Sequence, residues 1–280
     1  MKRYLTLEEL QHAELETMKC FRDYCIKHQL QYYLACGTLL GAVRHQGFIP
    51  WDDDIDIYMP RRDYEYLLVH FHEEGSNRHR IISWKSDSKF YFNYAKLVDT
   101  ATVLISAGCS DPIGAFIDIF PMDYYPKSPF AKLRYYRFWL LNIVYLSYDK
   151  MDLSGHRTLK RAILFFLVKR IYPSREQLGG KVRRLWEQII KQPPNNAYTL
   201  VYRDFGYLPK LPKQWFDPTE TLLFEGEAFS APKEYRKYLT AAYGRDYMQL
   251  PPEEKRVSHH SFECYWAEDR NDQSTDIRRI

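Results

Sequence analysis

Four of the five residues from Asp52 to Asp56 are aspartates, inside the run GTLLGAVRHQGFIPWDDDIDIYMP at 37–60. Carboxylates this close repel one another, so a folded chain keeps them together only with compensation. Alternation along a strand indicates which of them act as a unit. With Ile55 and Ile57 toward the core, Asp54, Asp56 and Tyr58 share the opposite face. Two carboxylates on one strand face suit one hard cation. Mg²⁺ takes oxygen ligands at about 2.0–2.1 Å and keeps waters or substrate phosphates in its remaining positions. Without a metal, one carboxylate would tend to hold its proton. Asp52 and Asp53 precede the strand and are expected to tune or orient the site, Asp53 facing away from the pair if the strand has already begun.

Three other readings of the run compete. A calcium loop threaded through Asp52, Asp54 and Asp56 needs glycine at its sixth position, where this chain has Ile57. The DxD of glycosyltransferases follows a hydrophobic strand, whereas here the hydrophobic residues come after. A solvated acidic turn fits poorly with the strand geometry. A third carboxylate is offered by AFIDIFPMD at 115–123. Asp118 sits in the middle of that apolar strand, where an uncompensated charge is costly, so it needs a metal or a basic partner. Asp123 lies past Pro121 and reads as a turn residue, the second choice for the role.

Several elements must hold these groups in place. QYYLACG at 31–37 favours a strand ending in glycine, and Thr38 can cap the short helix LLGAVRH. Backbone N–H groups of the Gly37–Thr38 turn could then meet a phosphate where the helix dipole helps. Arg44 and His45 are candidate phosphate contacts, the alternative for Arg44 being a salt bridge to the aspartate loop. Lys96 in FYFNYAKLVD is a weaker candidate, because lysine on a solvated strand face is commonplace. Trp51 and Tyr58 could cage a quaternary ammonium or belong to the core.

A Thr6–Glu9 capping box starts a helix that runs to about Lys27. A helix is also expected from Arg62 to Phe71, and strands at IISW, FYFNYAKLV, ATVLI and AFIDIF. From Phe130 to about Ile190 the pattern turns helical and basic, with 15 Lys or Arg against 4 Asp or Glu between Lys127 and Lys191. The expected fold class is α+β, a mixed β-sheet flanked by helices with a basic helical insertion. The divisions are a catalytic core at 1–125, the insertion at 126–195, a C-terminal part at 196–270 that completes the substrate site, and a frayed tail at 271–280.

Composition narrows the classes further. The chain has 280 residues and a net charge of only +4, too mild to argue for nucleic acid. Five scattered cysteines without a CxxC pair argue against disulfides and zinc, and for a reducing compartment. The N-terminus lacks an apolar leader, and no apolar run approaches the roughly 20 residues of a spanning helix, so a cytoplasmic location is expected. The 24 Tyr, 16 Phe and 6 Trp suit carbohydrate or cation-binding surfaces as well as an aromatic core. LKRAILFFLVKRIY is apolar nearly all round between basic ends. It fits peripheral attachment to an anionic inner leaflet, or equally a buried helix pair with a solvated basic face.

GTLLGAVRHQGFIPWDDDIDIYMPRRDY, FIDIFPMD, FEGEAFSAPKEYRKYLTAAYGRDYMQLPP and the pair His259–His260 together resemble the LicD family, from about Leu30 to His260. The likeness is weakest in the basic helical section. It implies a nucleotidyltransferase fold, shared with fukutin-related ribitol-phosphate transferases, and a magnesium- or manganese-dependent phosphotransferase. Such an enzyme takes a CDP-activated alcohol, CDP-choline foremost, and modifies a cell-surface glycan such as teichoic acid or lipopolysaccharide. On this resemblance Gly37 and Thr38 match the family's turn, Asp54 and Asp56 its acidic pair, and Asp118 its third acid. His259 and His260 match the C-terminal block as substrate-site residues; Glu225 and Gly226 match it too, Glu225 as a substrate contact or both as residues that shape a loop. Peripheral attachment through the basic helical section would place such an enzyme near a lipid-linked glycan acceptor. A nucleotidyltransferase moving NMP from an NTP onto an alcohol or sugar phosphate, and a non-catalytic binding module, are the competing classes.

Overall fold

A computed structural model describes residues 3–87, 90, 92–106, 112–146, 148, 159–191, 193–200, 210–258 and 262–267. In chain order the elements are α1 (Leu7–Lys27), β1 (Tyr33–Leu34), α2 (Cys36–Arg44), β2 (Asp56–Pro60), α3 (Arg61–Glu74), β3 (His79–Ile82), β4 (Ala95–Ser106) and β5 (Ile113–Tyr124). They continue as α4 (Pro129–Leu146), α5 (Leu159–Ile171), α6 (Arg175–Ile189), β6 (Ala197–Leu200), β7 (Leu211–Pro212), β8 (Thr219–Phe224), β9 (Glu227–Pro232), α7 (Tyr235–Tyr243) and β10 (Phe262–Trp266). Two compact units form, Met1–Met122 with Pro212–Ile280, and Asp123–Leu211. The fold is α+β.

In the first unit the sheet order is β1-β2-β5-β4-β10, with β3 also paired to β4. Only β2 and β5 run parallel; the other pairs between these strands are antiparallel. The α1 helix begins at the expected capping box, Thr6 Oγ1 accepting from Glu9 N at 3.2 Å while Glu9 returns a bond to Thr6 N at 2.9 Å. Its Leu10 and Ala13 pack against Ile82, Val98, Leu104, Ala115, Phe116 and Cys264, fastening the helix to the sheet. Burying such side chains stabilises the unit by about 1.5–3 kcal/mol for each large one.

Local details depart from the sequence reading. FYFN lies before β4, and ATVLI is the second half of β4, continuous with AKLV across an irregularity between Asp99 and Leu104. β5 continues through Pro121 to include Asp123, which is buried in a strand and is not a turn residue. The reason lies in the ladder. Asp118 N points to β2, so the N–H that Pro121 lacks would point to the β4 side, beyond the start of β4 at Ala95.

A hairpin joins β8 to β9, and Glu225 and Gly226 at its tip both have positive φ, 52° and 77°. That geometry matches the twist of the flanking strands. In the second unit α4 packs with α6, burying Tyr135, Phe138, Val182, Leu185 and Trp186. Ser174 caps α6 through Gln177 N. The tail at 271–280 lies outside the described residues.

Candidate functional site

Strand register assembles the core of the site. Asp56 on β2 is the partner of Asp118 on β5, and Asp118 in turn is the partner of Lys96 on β4. Residues in register on neighbouring strands project to the same sheet face, so Asp56, Asp118 and Lys96 form one row across three strands. Lys96 Nζ lies 2.5 Å from Asp118 Oδ1 and 3.3 Å from the centroid of the Phe116 ring. Both partners of this ion pair are buried.

The basic partner that the mid-strand Asp118 requires is therefore Lys96. The expectation of a solvated lysine is wrong, because β3 and β5 flank Lys96 and the rings of Phe92, Tyr94 and Phe116 surround its ammonium. A lysine sealed against aromatic rings and a carboxylate is not a solvated surface residue, and only the tertiary cover reveals it.

The three aspartates ahead of β2 form the second half. Asp52, Asp53 and Asp54 each offer a carboxylate oxygen within 4.8 Å of the other two. Asp52 and Asp53 precede the strand as expected, and Asp53 does not face away. β2 begins only at Asp56, so strand alternation does not govern position 53. Asp53 is buried, and its Oδ2 accepts a hydrogen bond from Ser258 Oγ. Gln11 Nε2 of α1 donates to Asp52 O at 2.8 Å, tying the helix to the loop. Asp52, Asp54 and Asp56 remain partly accessible.

Gly37 and Thr38 lie within the first turn of α2, where Ala35 is the N-cap and provides no side-chain bond. Thr38 is therefore not the cap. Its Oγ1 accepts from Asp56 N at 2.8 Å, while Ala35 N donates to Asp56 O at 3.0 Å. The turn grips the backbone of Asp56 from both sides. Gly37 is needed for close approach, since a Cβ there would lie 2.5 Å from Asp52 Oδ2. A carboxylate thus already lies at this helix N-terminus, where the dipole favours negative charge.

Behind the turn sits a buried network. Cys36 Sγ lies 3.3 Å from Tyr58 Oη, and Tyr238 Oη donates to Tyr58 Oη at 3.1 Å. Tyr58 is accordingly a core residue and not part of an ammonium cage, because β2 is covered on both faces. Burial pushes the Tyr58 and Tyr238 phenols well above their usual range.

Arg44 makes its hydrogen bonds to carbonyl oxygens of Tyr247 and Gln249, both at 3.1 Å, in place of the aspartate loop. It staples the C-terminal segment to α2. Burial, then the Arg44 charge, holds the His45 imidazole below its ordinary value. Trp51 lies edge-on to His45 at 6.4 Å and has the Arg256 guanidinium 5.9 Å from its ring centroid. Glu225 shapes the loop around Gly47, with Oε1 accepting from Phe48 N at 3.0 Å and its own N–H donating to Gln46 O at 2.9 Å. His259 and His260 lie outside the described residues.

One acid at the site escapes the sequence reading. Glu14 on α1 is fully buried, and neither of its carboxylate oxygens has a hydrogen-bond partner. Burial pushes its carboxyl well above the usual range, reinforced by Asp54, Asp53, Asp52 and Asp118 in that order. The spacing Leu10, Glu14, Thr17, Phe21 places it on the buried stripe of the helix, and that periodicity is the signal that could have found it. An all-oxygen donor set of this kind, with orphaned buried oxygens beside it, fits a hard divalent cation and disfavours soft metals.

Residues 29–139 match the family model described as the LicD/FKTN/FKRP nucleotidyltransferase domain. The sequence is 33% identical over 271 residues to the lipopolysaccharide cholinephosphotransferase LicD of Haemophilus influenzae, covering 93% of this chain and 98% of that protein. Shorter matches occur to uncharacterized proteins of Rickettsia typhi, 38% over 78 residues, and Rickettsia prowazekii, 46% over 63 residues. These cover 27% and 21% of this chain, and 25% and 24% of the two relatives. With near-complete coverage of a relative of known class and the acidic constellation in place, the chain belongs to the LicD family of phosphotransferases.

Proposed function

We propose that this protein, with a nucleotidyltransferase-type core, transfers phosphocholine from CDP-choline to a hydroxyl of a cell-surface glycan such as lipopolysaccharide, releasing CMP. The observation that carries the reading is the Asp56–Asp118–Lys96 row beside the Asp52–Asp54 cluster. It occurs in a chain similar almost end to end to a lipopolysaccharide cholinephosphotransferase. The acceptor oxygen forms a bond to the phosphorus nearest choline, and the bond from that phosphorus to the bridging diphosphate oxygen breaks. The hydroxyl proton passes to solvent, and CMP leaves with the bridging oxygen.

Asp54, Asp56 and Asp118 would hold Mg²⁺ or Mn²⁺, which supplies positive charge against the diphosphate and polarises its P–O bonds. Asp118 is assigned as a ligand and not as the base, because the Lys96 ammonium already occupies its Oδ1 and leaves that oxygen no room to take up a hydroxyl proton. Thr38 fixes the backbone of Asp56, and Gly37 leaves room for Asp52. Trp51, whose ring already carries a guanidinium, offers its face to the choline ammonium. The test is to incubate the protein with CDP-choline, acceptor glycan and Mg²⁺, and separately with CTP. CMP from the first mixture supports the reading; pyrophosphate from the second supports the nucleotidyltransferase alternative.

The second unit adds a proposed contact with an anionic membrane carrying a lipid-linked acceptor. No helix among the described residues is long and apolar enough to cross a membrane. On α4 and α5, however, Phe130, Leu133, Phe166, Leu167 and Ile171 are 52–82% exposed. Lys132, Arg137 and Arg170 are exposed on the same helices. Apolar side chains among basic ones suit a surface helix that inserts shallowly between acidic head groups. Flotation with anionic vesicles at low and high salt tests this, and failure to float at low salt removes it.

A further inference from the structure

We infer that Glu14 of α1 is an additional carboxylate ligand of the cation held by the aspartate cluster. The inference rests on the metal reading above and extends it to an element outside residues 29–139 that match the family model. Two geometric observations carry it, and the electrostatics support them. Glu14 is fully buried and both its oxygens lack a partner, although α1 is otherwise packed tightly on the sheet. The charges that act on it most strongly are those of acids, Asp54 first, with Asp53, Asp52 and Asp118 behind. One turn earlier, Gln11 grips Asp52 O at 2.8 Å, so the same side of α1 is tied to the aspartate loop.

Protonation alone does not satisfy this arrangement. A neutral carboxyl still carries an O–H donor, and leaving it unmatched in the interior is unfavourable. An ionised Glu14 among four acids is worse still. A divalent cation resolves both difficulties, because it accepts an oxygen from Glu14 and neutralises the acids that repel it. The three proposed aspartate ligands, Asp54, Asp56 and Asp118, then come from a loop and two strands, while Glu14 comes from a helix, and binding would lock α1 to the sheet.

The experiment titrates Mn²⁺ into the full chain without donor or acceptor. It follows bound metal by electron paramagnetic resonance, and melting temperature with and without the ion. Wild type, Glu14→Gln, Glu14→Asp and Asp54→Asn are compared. The expected result is at least a tenfold loss of Mn²⁺ affinity in Glu14→Gln, with a smaller metal-induced rise in melting temperature, in a protein that is no less stable without metal. Should Glu14→Gln fail to fold, Glu14→Asp withdraws the carboxylate by one methylene and is expected to weaken binding in the same direction. Wild-type affinity in the Glu14 variants, with binding lost in Asp54→Asn, overturns the role of Glu14 and leaves the metal site standing. Undiminished binding in Asp54→Asn overturns the metal reading itself.

Discussion

Asp118 and Glu14 are both buried carboxylates beside the aspartate cluster, yet their surroundings are opposite. Asp118 has an ammonium at 2.5 Å, buried with it in register on the neighbouring strand. Glu14 has no partner and is acted on by the charges of other acids. The sheet side of the site is therefore compensated within the protein, whereas the helix side is left to be compensated from outside. A buried pair stabilises only while both members are present, and a lone buried acid is a standing penalty. On the proposed metal reading, the cation would relieve chiefly the α1 side.

The largest expected effect lies between these two acids. Asp54→Asn retains shape and removes charge, and turnover is expected to fall by about 10³-fold, roughly 4 kcal/mol of barrier. Circular dichroism checks that the fold persists, and near wild-type CMP release would remove Asp54 from the chemistry. Next comes Lys96→Met, which leaves Asp118 charged and uncompensated in the interior. Urea unfolding should show a loss of about 3–5 kcal/mol, partly restored when Asp118→Asn is added. Equal losses in the single and double variants would mean that the ion pair is not what holds this part of the sheet.

The contrast predicts the opposite sign for Glu14→Gln without metal. Unfolding in a chelator should show a gain of about 1–2 kcal/mol, because a poorly placed acid is removed. Saturating Mn²⁺ should then narrow or reverse the gap between variant and wild type. A loss like that of Lys96→Met would show that Glu14 is already satisfied.

The smallest effect concerns a buried base away from the cluster. Burial, partly opposed by Asp99, holds the His79 imidazole below its ordinary value of 6.5, and neither ring nitrogen has a partner. As pH falls through 6.5 the unfolded chain takes up a proton that the folded chain resists, so stability drops on the acid side. His79→Gln should flatten the stability profile between about pH 7 and pH 5. An unchanged slope would assign the acid sensitivity elsewhere.

The same two acids show what a sequence reveals. Asp118 was legible because a charge in the middle of AFIDIF violates an otherwise apolar strand. Its register with Asp56 then follows from β2 and β5 lying side by side. Lys96 and Glu14 were misjudged or passed over for a shared reason. Lysine and glutamate are ordinary on exposed faces, and only their burial in the packed structure makes these two exceptional. Thr38 differs on a smaller scale, since a helix α2 that begins three residues earlier, at Cys36, changes which groups its side chain can reach. The capping box at Thr6–Glu9 carried no such ambiguity, because both of its bonds are local.

The most direct measurement of the central claim is product analysis with CDP-choline labelled in the choline phosphate, acceptor lipopolysaccharide and Mg²⁺. The account predicts label on the glycan and equimolar CMP from the wild-type protein, with both falling about 10³-fold in Asp54→Asn. Label that stays with the nucleotide, or transfer that survives Asp54→Asn undiminished, would contradict it.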